Sequence, residues 1–331
     1  MRQPFLVIRR CVGQPILAVL FSLFLSTSLS AAQPQQPTPP IRVTVNRVNV
    51  GVTVTDSAGH FISGLRREDF HVFDNDAEQP ITDFLPIEEP AQLVLLIESG
   101  PAVYFLGQGH FRAAETLLTS IAPADRVAVA AYSNAPQLIL GFTPDKTAAR
   151  FALHNLNFNI GFGDLNLSAS VAATLDWLAP LPGKKTIVLL STGFDTSPPE
   201  NWQIVQRKLQ TSDVRILAVS LSGDFRKPVK GKKRVAQNRA DRDFVNEGFR
   251  KADESLQQLS AATGGRVYFP KNAAEFNRAY AEIAQLIRHE YSLAFSPPAL
   301  DARVHEIEVK VNRSSAQVDH RQAYLAPMPT D

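Results

Sequence analysis

Residues 93–101 have the sequence Leu-Val-Leu-Leu-Ile-Glu-Ser-Gly-Pro, in which five apolar residues are followed by an acid, a hydroxyl and a Gly-Pro break. A short apolar run without alternation is typical of a strand that is buried on both faces of a parallel sheet. Ligands of open α/β sheets bind beyond the carboxyl ends of such strands. We therefore expect any binding chemistry of this chain to lie near residues 98–102.

The region around this stretch repeats the same pattern of strand and helix. Apolar runs predict further strands at 127–131, 138–140, 186–190, 214–221 and 267–269. Helical spacing of apolar residues predicts helices at 111–121, 167–178, 198–209, 249–262 and 273–289. Strands that alternate with helices in this way predict an α/β fold with a doubly wound, mostly parallel, Rossmann-like sheet.

Both ends of the chain show the period of two that is typical of half-buried strands. Three short strands are predicted after residue 41, and three more follow Glu290. Each set alone would form only a marginal sheet. We therefore expect residues 41–89 and 290–327 to form one β-sandwich-like module, with an α/β domain of residues 90–289 inserted between them.

The first 32 residues have the composition of a secretory signal peptide. Arg2, Arg9 and Arg10 precede an apolar run at 16–29, and small residues at 28–32 offer a cleavage site. The run is shorter than the roughly 20 residues that span a bilayer, although an uncleaved N-terminal anchor is the alternative. A Pro/Gln-rich linker follows at residues 33–40. We expect a secreted or periplasmic protein whose mature chain has no membrane span.

The charge and cysteine content of the mature chain exclude several classes of function. Residues 1–32 hold three basic residues and no acid, so 31 basic and 32 acidic side chains remain after cleavage. This balance gives no overall attraction to nucleic acid or to an anionic membrane. Cys11 is the sole cysteine and lies within the signal peptide. Disulfides and thiolate catalysis are therefore excluded from the mature chain.

Several stretches, in their order along the chain, resemble a known family. They are Val50–Asp56, Gly64–Asp74, Leu93–Ser99, Lys185–Thr196, Ala262–Pro270 and Ile287–Ser296. Together they resemble the von Willebrand factor A (vWA) domain and, more narrowly, the secreted bacterial vWA-related proteins that are abundant in acidobacteria. The resemblance covers residues 41–327. It implies the vWA fold and a role in protein interaction.

Members of the vWA family often carry a metal-ion-dependent adhesion site. One loop of that site supplies an Asp and two hydroxyls, a second supplies a Thr and a third supplies an Asp, which suits a hard cation such as Mg²⁺. Glu98 stands here in place of the first Asp, and Gly100 and Ala102 replace the two hydroxyls. Asp164 replaces the loop Thr, and Thr192 replaces the third-loop Asp.

These departures imply a degenerate adhesion site, so no cofactor is expected. The alternative is a rearranged cation site, because oxygen-bearing side chains remain near the expected position. Its ligands would be Glu98, Ser99, Asp164 and Thr192, and its ion would be Mg²⁺ or Ca²⁺.

A strongly basic segment between residues 225 and 243 is the second candidate site. Its partner-binding candidates are Arg226, Lys227, Lys230, Lys232, Lys233 and Arg234. One interpretation is a solvated surface loop, and the other is an arm that attracts an acidic protein or envelope partner. Nucleic acid is not expected as a partner, because only Phe225 and Phe244 at the segment's edges could stack on bases.

The sequence contains no motif that favours catalysis. It has no Gly-x-Ser-x-Gly elbow, and the seven histidines are scattered without metal-type spacing. The loop at Gly161–Gly163 is followed by Asp164, which would repel a phosphate. We therefore predict a non-enzymatic interaction protein that binds a protein or cell-envelope partner. Its oligomeric state does not follow from the sequence.

Overall fold

The computed structural model describes residues 47–100, 103, 109–158, 163–224 and 239–328. The predicted signal peptide, the Pro/Gln-rich linker and the basic candidates at 226–234 lie outside these ranges. Secondary structure occupies most of the described chain. The strands are β1 Val48–Thr55, β2 Phe70–Asp74, β3 Ala77–Gln79, β4 Ile81–Leu85, β5 Ala91–Glu98, β6 Arg126–Tyr132, β7 Pro136–Thr143, β8 Lys184–Ser191, β9 Val214–Ser220, β10 Val267–Tyr268, β11 Glu290–Phe295, β12 Val304–Val311, β13 Gln317–His320 and β14 Ala323–Leu325. The helices are α1 Gly109–Ser120, α2 Lys146–His154, α3 Leu167–Leu178, α4 Pro199–Thr211, α5 Arg239–Ala261 and α6 Ala273–Arg288.

The central sheet has six strands in the order β10-β9-β8-β5-β6-β7. Its strands are parallel except β7, which pairs antiparallel with β6. Leu93, Leu95 and Ile97 of β5 face one buried cluster with side chains of α1, α2 and α6. Val94 and Leu96 face a second cluster with side chains of α3, α4 and α5. The continuous apolar run at β5 is thus buried on both faces, and the predicted mixed α/β fold is confirmed.

Strands from the two ends of the chain pair with each other. One antiparallel sheet has the order β13-β1-β11-β4, and another has the order β14-β12-β2-β3. Strand β1 pairs with β11, and β2 pairs with β12. Alternate residues of β12 are buried, as expected for a strand with one solvated face. Side chains of both sheets contribute to one buried cluster.

Two details at the chain ends differ from the expected strands. The short strand β3 was not predicted, because Ala77–Gln79 carries no apolar alternation. The single last strand expected near 318–324 is two strands, with β13 in one antiparallel sheet and β14 in the other. The break falls at Arg321, whose buried guanidinium donates hydrogen bonds to the carbonyls of Gln210 and Ser212 at the end of α4. Among the described helices, none combines the length and the apolar character that crossing a membrane requires.

Candidate functional site

The candidate site lies at the carboxyl end of β5, a strand with parallel neighbours on both sides. Glu98 is the last residue of this strand and is fully buried. It stands beside Tyr132 at the end of β6 and near Ser191 at the end of β8. This placement follows from the parallel register, which brings the ends of successive strands to one edge.

The Glu98 carboxylate accepts hydrogen bonds from donors on both neighbouring strands. Its Oε2 accepts from the Thr192 amide at 2.8 Å, from the Thr192 hydroxyl at 2.8 Å and from the Ser191 hydroxyl at 3.1 Å. The Tyr132 hydroxyl lies 3.4 Å from the same oxygen and donates at 2.7 Å to Ser191 Oγ. Ser191 Oγ also accepts from the Gly193 amide at 2.8 Å. The carboxylate therefore ties the ends of three strands together.

The hydrogen-bond donors that surround the Glu98 carboxylate are all uncharged. Burial raises the pKa of this carboxyl above its ordinary value, although the bonds from Thr192, Ser191 and Tyr132 act in the opposite direction. Burial, and then the nearby Glu98 charge, raise the pKa of the Tyr132 hydroxyl well above its ordinary value. The phenol therefore remains a hydrogen-bond donor at neutral pH.

The structure brings together two of the four residues predicted for a rearranged cation site. Thr192 contacts the Glu98 carboxylate directly. Ser99 instead donates through its hydroxyl, at 3.0 Å, to the Tyr132 carbonyl. Asp164 is exposed, and no hydrogen bond within the described ranges joins it to Glu98. Sequence reasoning missed Tyr132, although a tyrosine that ends an apolar strand is a signal that could have identified it.

An apolar side chain occupies the space beside Glu98 in which a further ligand would have to stand. A Cβ atom added at Gly100 would lie 2.7 Å from Leu165 Cδ2 and 3.8 Å from Glu98 Oε1. A hydroxyl-bearing residue at position 100 would therefore require the Leu165 side chain to move. Over the described part of the chain, no group of three or more His, Cys, Asp or Glu side chains could hold a metal ion.

A groove of about 440 Å³ opens near this edge of the sheet, between the loop that follows β8 and helix α5. We call it the β8–α5 groove, and it is lined by Gly193, Phe194, Asp195, Ser197, Pro198, Pro199, Trp202, Gly248, Lys251, Ala252, Glu254, Ser255 and Gln258. Gly193 has a φ of +82°, and a Cβ there would lie 2.3 Å from the Ala252 carbonyl oxygen. Only glycine combines this conformation with such a close approach of loop and helix.

Comparison with known proteins gives structural similarities at low sequence identity. No protein-family model matches the chain, and no curated protein does either. The structure is similar to BatB from Bacteroides thetaiotaomicron, with 14% identity, a TM-score of 0.45, and coverage of 60% of this chain and 97% of that one. An aerotolerance-related membrane protein from Bacteroides fragilis gives 16% identity, a TM-score of 0.45 and coverages of 60% and 98%. A von Willebrand factor type A protein from Catenulispora acidiphila gives 9% identity, a TM-score of 0.44 and coverages of 86% and 75%. These values assign the chain to no family.

Proposed function

We propose that this chain is a secreted or periplasmic, non-enzymatic vWA-like protein that binds a protein or cell-envelope partner. Its adhesion site is degenerate and takes no metal. The observation that carries this proposal is that Glu98 Oε2 accepts hydrogen bonds from the Thr192 amide, the Thr192 hydroxyl and the Ser191 hydroxyl. The role of Glu98 is then to hold the edge of the sheet, and the partner binds the surface around it.

The geometry of Glu98 supports the absence of a metal. The three donors of Thr192 and Ser191 all bind Oε2, which leaves this oxygen no free lone pair. A cation bound to Oε2 at about 2 Å would have to displace these donors and leave them buried without a partner. Leu165 beside Gly100 offers the cation no oxygen ligand in exchange.

The proposed architecture places the α/β part as an insertion in one discontinuous β-sandwich. The pairing of β1 with β11 and of β2 with β12 supports this arrangement, as does the single cluster of buried side chains that both sheets share. The proposed export rests on the composition of residues 1–32. Appearance of the processed chain in the periplasm or medium of an expressing bacterium would test it.

Calorimetric titration of the mature chain with Mg²⁺, Ca²⁺ and Mn²⁺ tests the metal-free site. The expected result is no binding at millimolar or lower concentrations. Binding in that range that is lost in Glu98→Gln, with the fold retained, would overturn the degenerate site and support the rearranged one. The variant Glu200→Gln, which changes an exposed acid in the first turn of α4, is the matched control.

Affinity capture from the envelope fraction of the source organism tests the interaction role. The mature chain is expected to retain a protein or an envelope polymer at physiological salt. Failure to retain either would contradict the role. A broad hydrolase screen tests the non-enzymatic part, since turnover that disappears in Ser191→Ala would contradict it.

A further inference from the structure

The β8–α5 groove follows helix α5 for about three turns. Its lining residues on α5 run from Gly248 to Gln258, which at 1.5 Å per residue corresponds to about 15 Å of helix. The opposite wall consists of the loop after β8 and the first turn of α4. This length fits about five residues of a peptide in the polyproline II conformation, which rises about 3.1 Å per residue.

The loop wall of the groove has a mainly apolar part that also presents one hydrogen-bond donor. Phe194, Pro198, Pro199 and Trp202 line this side, and Trp202 is half-buried. No other described residue accepts a hydrogen bond from the indole N–H of Trp202. This N–H is not a buried group without a partner, so it is open to solvent and to an incoming acceptor. Grooves lined by aromatic side chains bind proline-rich segments, whose preformed conformation lowers the entropy cost of binding.

The groove also carries one carboxylate without an opposite charge. Asp195 accepts hydrogen bonds from the amides of Ser168 at 3.1 Å and Ser197 at 2.9 Å. No basic side chain of the described residues lies within ion-pair distance of Asp195. The other charged residues of the groove are already paired on the helix surface, Lys251 with Glu247 and Glu254 with Arg250. Asp195 is therefore the charge that an incoming cation would complement.

We propose that the β8–α5 groove binds an extended, proline-rich peptide segment that places a basic side chain over Asp195. The apolar wall receives the prolines, and the Trp202 N–H donates to a peptide carbonyl. This assignment rests on the interaction role proposed above and names the class of partner.

The test uses Trp202 as its own reporter. The chain has two tryptophans, and the other, Trp177, stacks on Phe142 at 5.0 Å outside the groove. In a Trp177→Phe background, the mature chain is titrated with a capped heptapeptide of six prolines around one arginine. We expect saturable quenching or a shift of Trp202 emission, and weaker binding as salt is raised. Replacing the arginine of the peptide by glutamate should weaken binding by about twofold to fivefold.

Two variants separate this mode of binding from a non-specific one. Asp195→Asn is expected to remove the preference for the arginine peptide, whereas Glu200→Gln outside the groove retains it. Trp202→Phe is expected to weaken binding of the arginine peptide by about fivefold through loss of one hydrogen bond. Calorimetry measures the affinity of this variant, because the fluorescent residue is absent. No saturable binding, or equal affinity for the arginine and glutamate peptides, would overturn the proposal. The peptide comparison uses unaltered groove residues and so does not depend on the folding of either variant.

Envelope capture distinguishes failure of the groove from failure of the interaction role. If the Trp202→Phe variant retains the envelope partner as well as the parent chain does, the proposal that the groove binds this partner is contradicted. The proposed interaction role is then still supported. Peptide binding as expected, with no envelope partner retained, would support the groove and contradict the role.

Discussion

The two ends of the central sheet bury charge in opposite ways. At the carboxyl end, the buried Glu98 anion is held by hydroxyl and amide donors of its own sheet. At the amino end, the buried side chains of Lys184 and Arg215 are cations, and both bind groups that belong to the antiparallel strands or to their connections. One end therefore stabilises the sheet itself, whereas the other attaches the sheet to the rest of the chain.

Arg215 near the start of β9 makes the most extensive of these attachments. Its Nη1 lies 3.1 Å from the Glu290 carboxylate, its Nη2 donates to Thr53 Oγ1 at 3.2 Å, and its Nε donates to the Gly264 carbonyl at 3.0 Å. Gly51 makes room for this pair, because a Cβ there would lie 2.8 Å from Glu290 Oε1. A single guanidinium thus joins β9 to both β1 and β11.

Lys184 binds the two connections between the α/β part and the antiparallel strands. Its Nζ donates to the carbonyls of Ile87 at 3.0 Å, Glu290 at 3.3 Å and Pro86 at 3.4 Å. The first and last of these residues precede β5, and Glu290 follows α6. The amino end is therefore engaged in attaching the α/β part to the antiparallel strands, whereas the β8–α5 groove lies near the carboxyl end.

The largest expected effect is on the buried ion pair. Arg215→Ala leaves the Glu290 carboxylate buried without its partner, so the free energy of unfolding should fall by about 3–5 kcal/mol. Urea denaturation, monitored by circular dichroism, measures this loss of unfolding free energy. Arg266→Ala is the matched control, because Arg266 makes exposed ion pairs with Asp319 and Glu282 and should cost at most about 1 kcal/mol. Equal losses in the two variants would show that burial does not distinguish these arginines.

The next effect tests the carboxyl end. Glu98→Ala removes the acceptor of the Thr192 and Ser191 donors, so we expect a loss of about 2–3 kcal/mol in unfolding free energy. Glu98→Gln retains the shape and most of the hydrogen bonds and should cost less than about 1 kcal/mol.

The pH dependence of Glu98 supplies an independent check. Because its folded-state pKa is raised, the wild-type chain should lose stability as the pH rises from the ordinary value of 4.5 through the folded value. Glu98→Gln should lack this part of the dependence. If Glu98→Gln has the same pH profile as the wild-type chain, the Glu98 carboxyl does not have the raised pKa that its burial implies.

Much of the fold could be predicted because the apolar patterns reflect local burial. Strands buried on both faces, such as β5, have continuous apolar runs, and strands with one solvated face, such as β12, alternate. The pairing of the two chain ends followed from the fact that neither set of strands could cover its own apolar face. The division of the last predicted strand into β13 and β14 did not follow, because it depends on Arg321 contacting carbonyls about 110 residues earlier in the chain.

The candidate site was predictable in position but not in contacts. Glu98 stands out because it ends the central apolar run. Its partners Tyr132 and Ser191 lie 34 and 93 residues away in sequence, and only the strand order brings them together. Leu165 lies beside Gly100, on a loop whose sequence shows no signal of that contact. Lys184 lies outside the strand predicted at 186–190, and no local feature of the sequence reveals that its ammonium group is buried.

A smaller effect tests the attachment through Lys184. Lys184→Met keeps the side-chain volume and removes three hydrogen bonds, so unfolding free energy should fall by about 1–2 kcal/mol. Amide hydrogen exchange should also accelerate in the connection at residues 86–90. Lys208→Met is the control, because its exposed ion pair with Asp176 lies within the α/β part and should contribute below about 1 kcal/mol. Exchange at 86–90 that is unchanged in Lys184→Met would contradict the attachment.

The smallest expected effect concerns His305, a buried side chain that loses its positive charge as the pH rises. His305 on β12 contacts Asp74 through Nδ1 at 2.7 Å and Asp301 through Nε2 at 3.2 Å, and the Tyr324 hydroxyl donates to Asp74 at 2.5 Å. Burial lowers the pKa of His305, but the bonds to Asp74 and Asp301 outweigh it and raise the pKa above 6.5. Both ring nitrogens can donate only in the charged form. The contribution of protonated His305 to the stability of the protein is therefore complete below pH 6.5. It is lost as the pH rises through the pKa of His305 in the folded state.

Loss of one charge-assisted hydrogen bond predicts a decline on the order of 1 kcal/mol in unfolding free energy across that range. His305→Gln should flatten the decline, whereas His71→Gln, which changes an exposed histidine bound to Glu78, should retain it. Denaturation series between pH 5 and 9 would measure all three chains. A decline that persists in His305→Gln would assign the pH dependence to another group.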